Sequence, residues 1–73
     1  MQIRPLDLDR IEKRVKRLTS RGHATRAQAL EILADDYDEL ALVRASWGDR
    51  LGSKRARLLA SHLRVLSDKS VIQ

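Results

Sequence analysis

Few residues in this chain are placed to do chemistry. Histidine occurs twice, at His23 and His62, and cysteine is absent. Without a thiol there is no disulfide, no thiolate metal ligand and no cysteine nucleophile. His23 sits in the turn Arg21-Gly22-His23-Ala24, with no partner at a spacing that would activate it. His62 falls inside an apolar helical pattern, where a histidine at the core boundary is the ordinary role and a metal ligand would need company. Four carboxylates bunch at Asp35, Asp36, Asp38 and Glu39. A helix turning about 100° per residue spreads them over more than one side. Serine and threonine fall chiefly at caps and turns, and no glycine-rich phosphate loop is present. These observations point away from an enzyme and offer no metal or cofactor site.

Charge is more informative. The net charge is +5, from 15 basic and 10 acidic residues, and it is unevenly spread. Residues 1–26 hold eight basic and three acidic residues, 27–49 one and six, and 50–73 six and one. Two basic arms therefore flank an acidic middle. Such asymmetry suggests an anionic partner, with nucleic acid foremost. The alternative is that the arms neutralise the acidic middle within the fold or across a dimer.

The elements that must carry these charges read as helices. The longest is Thr25 to Trp47, with no proline or glycine inside it. Thr25 and Gln28 form a capping box, in which each side chain satisfies an orphan backbone N–H. Gly48 stands where a C′ glycine would close the helix. Ala27, Leu30, Leu33, Ala34, Tyr37, Leu40, Ala41 and Trp47 share one face at helical spacing, and Arg44 falls within the same arc. Its stem could lie on the core, stack on Trp47 or pair across a dimer. Ile32, Leu42 and Val43 lie off that face and predict a second contact surface, for the third helix or another subunit.

A first helix is predicted over 7–20. Asp7 is its N-cap, and Leu6 and Ile11 form a hydrophobic staple. Leu8, Ile11, Val15 and Leu18 make its apolar stripe, with Arg10, Arg14, Arg17 and Arg21 on the other side. A third helix is predicted over 53–67, capped by Ser53, with Ala56, Leu59, Leu63 and Leu66 as its main stripe and Leu58 and Val65 widening it. So broad an arc predicts packing against the long helix. Residues 68–73 read as a frayed tail that Val71 and Ile72 could anchor. Residues 1–6 are open between a short strand, ended by Pro5, and a frayed terminus. The fold class is thus mainly α, one small domain over 1–73.

A chain this short buries a thin core and commonly leans on disulfides, metal or oligomerisation. With cysteine absent, a homodimer is expected, with Tyr37, Leu40, Arg44 and Trp47 at the dimer or partner interface. The opening MQIRPLDLD is charged and lacks the apolar core of a secretory leader. No apolar run approaches the roughly 20 residues of a membrane span. A soluble cytoplasmic protein with no membrane partner is expected.

From Ile3 to Leu40 the order of elements resembles that of ribbon-helix-helix proteins: a short strand candidate (MQIRPL), a helix (LDRIEKRVKRL), a glycine-containing turn (TSRGHA) and a capped second helix (TRAQALEILADDYDEL). The stretch RGHATRAQALEILADDY looks like the turn and second helix of that family's antitoxins and small plasmid repressors. The resemblance implies an obligate dimer whose paired strands enter the DNA major groove. Gln2 and Arg4 would face the bases, and Thr25 and Arg26 at a helix N-terminus would hold phosphate. With the basic face of Arg10, Arg14 and Arg17, these are the candidate DNA-binding residues. In the antitoxins a C-terminal extension binds a toxin; here that would be residues 50–73. Pro5, the brevity of the strand and the extra length of the second helix depart from the family pattern. Two function classes follow: a small dimeric DNA-binding regulator of repressor or antitoxin type, or a helical adaptor or inhibitor that binds protein and has no nucleic-acid role.

Overall fold

The computed structural model describes residues 3–22 and 24–72, the side chains of 71 and 72 excepted. The chain forms three helices, α1 (Pro5–Thr19), α2 (Arg26–Ser46) and α3 (Arg50–Ile72), and no strand among the described residues. The expected mainly α fold of three helices is what forms. Two of the helix starts, the C-terminal end and the N-terminal segment differ from expectation.

Residues 3–6 do not make a ribbon. Arg4 is extended (φ −83°, ψ 149°) and caps α1, and Pro5 and Leu6 are already helical. Proline suits the first helical position because its fixed φ fits and its missing N–H had no helical acceptor to lose. Asp7 is thus the third helical residue rather than the cap. Its Oδ2 accepts the Arg4 backbone N–H at 3.3 Å and the Arg4 Nε–H at 3.1 Å. Ile3 packs against the helical core. The ribbon-helix-helix resemblance is overturned on this point, because that family's DNA-reading element is a pair of strands and this segment turns helical at Pro5. The DNA-binding, repressor and antitoxin roles implied by the resemblance fall with it. Gln2 lies outside the described residues, as does His23.

The start of α2 follows its sequence signals. Thr25 Oγ1 accepts the Gln28 N–H at 3.1 Å, and Gln28 Oε1 accepts the Thr25 N–H at 2.9 Å. Gly48 closes the far end at φ +82°, a left-handed conformation that a Cβ would penalise. The next helix starts sooner than Ser53. Asp49 Oδ1 accepts the Gly52 N–H at 2.9 Å, so Asp49 is the cap and Gly52 lies inside the first turn. At the other end α3 continues to Ile72, so residues 68–72 of the segment expected to fray are helical; Gln73, and the anchoring role considered for the side chains of Val71 and Ile72, lie outside the description.

Helices α2 and α3 run antiparallel. Arg44 reaches Gly52, Arg64 reaches Asp35 and Asp38, and Ser67 Oγ donates to the Ala27 carbonyl at 3.1 Å. Alanines 34, 41, 56 and 60 are buried and leave the two backbones room to approach closely. The core joins Ile11 and Val15 of α1, Leu30 and Leu33 of α2, and Leu59 and Leu63 of α3. Burying each such side chain stabilises by roughly 1.5–3 kcal/mol. Leu8, expected in the α1 stripe, and Val65, expected in that of α3, are instead exposed. No helix among the described residues is long and apolar enough to cross a membrane.

Candidate binding surfaces

Three helices meet around a cavity of about 380 Å³. The α1 cap and helix contribute Arg4, Asp7, Arg10 and Arg14, which recur at steps of three, three and four and so share one side. Helix α2 contributes Tyr37, Leu40 and Arg44, again at steps of three and four. Helix α3 contributes Arg55, Ala56 and Leu59. Five arginines thus line a space that has one acidic residue in its wall.

That carboxylate is committed to the fold. Asp7 is buried, hydrogen-bonded to Arg4 and 3.8 Å from an Arg55 nitrogen. The Arg4 hydrogen bonds hold the Asp7 carboxyl below the usual aspartate range, against the opposing effect of burial. Arg14 turns partly outward and pairs with Asp36 at 3.1 Å. Arg44 is half-buried and finds only a carbonyl, that of Gly52 at 3.4 Å. Among the described residues Arg10 has no carboxylate partner within salt-bridge distance. Positive charge therefore remains in the cavity after internal pairing. A wider, more open groove of about 490 Å³ lies between α1 and the start of α2, walled by Glu12, Lys13, Lys16 and Arg26. Its arginine is tied to Glu12 at 2.7 Å, which also holds the Glu12 carboxyl below its usual range. That leaves two mobile lysines there and no fixed cation fork.

The basic arms are matched in part within the chain. Arg14 with Asp36, Arg26 with Glu12, Arg64 with Asp35 and Asp38, and Arg4 and Arg55 with Asp7 link helices or close a turn. Five of the fourteen basic residues in the two arms are paired in this way, and of these Arg14 and Arg64 reach the acidic middle, so neutralisation within the fold is partial.

The outward side of α2 is a different surface. Ile32, Leu42 and Val43 are exposed there, Leu42 at 66%, and Trp47, the C-cap residue just past the helix end, is exposed at 74%. The sequence offered α3 or another subunit as the cover for Ile32, Leu42 and Val43, and within the chain α3 leaves all three exposed. Glu31, Asp35, Asp36 and Glu39 share this side, and no basic residue of α2 does. Leu51, at the start of α3, adds a further exposed leucine beyond the turn at Gly48.

The predicted site residues therefore divide. Arg4, Arg10 and Arg14 from the expected DNA-binding set meet Tyr37, Leu40 and Arg44 from the expected interface set in one cavity. Arg17 is exposed and not in that wall, Thr25 serves as a helix cap, Arg26 is paired, and Trp47 stands on the exposed surface. Arg44 is half-buried and reaches across to the Gly52 carbonyl at the start of α3. Sequence reasoning missed Asp7 and Arg55 as members of the cavity. A usable signal existed for Arg55, which precedes Leu59 by one helical turn and so borders the α3 stripe. No protein-family model matches the chain, and neither a curated protein nor a solved structure matches it.

Proposed function

We propose that this chain is a helical protein-binding module that docks the outward side of α2 into an apolar groove with a basic rim on a partner protein. The reading rests on one observation: Ile32, Leu42 and Val43 on the outward side of α2, and Trp47 at its C-cap, are exposed while Leu30, Leu33, Ala34 and Ala41 on its other side are buried. Single exposed apolar residues are ordinary, but a row of them on one element marks an interaction surface. From Ile32 to Trp47 the row runs about 22 Å along the axis. Tryptophan is the residue type most often dominant in such interfaces. The carboxylates of Glu31 and Glu39, free of ion pairs among the described residues, choose the sign of the rim.

A second copy of the chain is the poorer occupant. A two-fold contact sets the same patch against itself, which would bring these carboxylates against their own counterparts. The same argument bears on the homodimer expected from chain length.

A photo-crosslinking residue at position 39 tests the reading in the native cell. One heterologous partner should be captured, and Leu42→Ser with Trp47→Ser should abolish its capture. Capture that persists in that double variant overturns the reading. So does a dimer mass by light scattering that reverts to monomer in the same variant. Steeply salt-dependent binding to random duplex DNA, a sign of many phosphate contacts, would also count against it.

A further inference from the structure

We propose that the arginine-lined cavity between the three helices is a binding site for a small ligand bearing adjacent phosphate groups, a diphosphate in the simplest case. The inference uses another side of α2 from the protein-binding surface and stands or falls separately from it.

Three features carry it. The first is convergence: Arg4, Arg10 and Arg14 come from α1, Arg44 from α2 and Arg55 from α3, so the cations are brought together by the tertiary fold and not by a run in the sequence. Like charges gathered this way repel, and a fold that keeps them together without a bound anion bears that cost. The second is incomplete internal neutralisation. Asp7 is shared between Arg4 and Arg55, and Asp36 takes Arg14. Arg44 has only the Gly52 carbonyl, and Arg10 has no acidic partner among the described residues. The third is shape. At about 380 Å³ the cavity falls within the range of small-molecule sites, about 300–1,000 Å³. It is a concavity between helices, suited to a compact anion.

Guanidinium groups favour phosphate because their planar donor forks match its oxygens two at a time. Forks arriving from α1 and α2 can each take one phosphate of an adjacent pair, with Arg10 and Arg44 as the two cations least committed to the fold. Tyr37 and Leu40 form a less polar part of the wall. That wall leaves room for an organic group on the outer phosphate. Solvation of the arginines over their own stems is the competing account of such a seam. It predicts no saturable binding and no difference between cavity and surface arginines.

The test is calorimetric titration of the full chain with pyrophosphate, a nucleoside diphosphate and sulfate. Pyrophosphate should bind saturably at one per chain, and more tightly than sulfate. A tighter nucleoside diphosphate would show that the wall of Tyr37 and Leu40 takes part, whereas equal affinity would place recognition in the phosphates alone; both outcomes support the site. Arg10→Gln and Arg44→Gln should each weaken pyrophosphate by about tenfold or more, the scale of one lost charge-assisted pair. Arg57→Gln, exposed and outside the cavity wall, should leave binding unchanged. If Arg44→Gln fails to fold, Arg10→Gln decides alone, since Arg10 is exposed and makes no internal ion pair. The proposal is overturned by absent saturation at millimolar pyrophosphate, by sulfate binding equally well, or by equal losses at Arg57 and Arg10.

Discussion

The two long sides of α2 are built from similar residues and meet opposite fates. Leu30, Leu33, Ala34 and Ala41 on one side are buried against α1 and α3. Ile32, Leu42 and Val43 on the other side, and Trp47 just past the helix end, touch water. The exposed side also carries Glu31, Asp35, Asp36 and Glu39, and the apolar residues standing among these carboxylates are the reason to look for a partner. The cations divide differently. Those facing the packed side gather in the cavity, while the exposed side of α2 keeps only carboxylates. Aliphatic residues alone do not distinguish the two sides; the carboxylates of the outward side do.

The sharpest way to break the comparison is truncation on each side. Leu33→Ala should cost about 2–5 kcal/mol, because Leu33 is fully buried and the helices around it cannot collapse into the gap. Leu42→Ala should stay within about 0.5 kcal/mol in the isolated chain. Urea denaturation of both variants gives the two numbers. A large loss at Leu42 would mean that the exposed side is covered in solution.

A smaller effect is expected at Gly52, where the helix pair closes. A Cβ there would press on the Asp49 carboxylate and lie 2.8 Å from Arg44 Cδ. Crowding of this kind costs about 1–3 kcal/mol, partly offset by about 1 kcal/mol from the better helix propensity of alanine. Gly52→Ala should therefore destabilise by about 1 kcal/mol. A gain in melting temperature would show that Asp49 and Arg44 move aside freely.

Arg64 spans from α3 to Asp35 and Asp38, at the border between the two sides. All three partners are substantially exposed, so Arg64→Gln should cost less than about 1 kcal/mol, and added salt should shrink the difference. A larger loss that salt leaves intact would place this bridge in the packed half of the comparison.

The last effect is in acid. Asp7 and Glu12 have folded pKa values lowered by their arginine partners. A lowered value stabilises the fold above the unfolded carboxylate pKa, and that contribution is lost as pH falls through the folded value. Melting temperature should accordingly be level near neutrality and fall below about pH 4. Asp7→Asn should start lower and show a shallower acid fall. An unchanged acid limb in that variant would remove Asp7 from the cavity's electrostatics.

Much of the helical framework was legible in the residues. Thr25 with Gln28 and Gly48 gave both ends of α2, because caps depend on bonds within four residues. The stripes Ile11–Val15 and Leu59–Leu63 gave the core-facing sides of α1 and α3 for a similarly local reason. Local signals misled where two of them competed. Pro5 suits both a strand edge and a first helical turn, and Asp7 can cap a helix or sit three residues inside it. Asp49 and Ser53 are both good caps, and the earlier one prevailed because Asp49 could close on Gly52. The candidate site was legible only in pieces: Arg4, Arg10, Arg14, Tyr37, Leu40 and Arg44 were each singled out, but under two separate roles.

By itself, then, the sequence determined that three helices form, where α2 begins and ends, and which leucines, isoleucines and valines could make a core. The physical reason is range, since propensity, capping and periodicity act within a few residues along the chain. The covered side of α2 is the one its apolar spacing marked; tertiary structure decided which arginines are spent on Asp7, Glu12, Asp35, Asp36 and Asp38, and that five arginines from the three helices and the α1 cap line one cavity. Those outcomes depend on the angle and register at which three helices pack, which sum over many weak contacts between residues far apart in the chain.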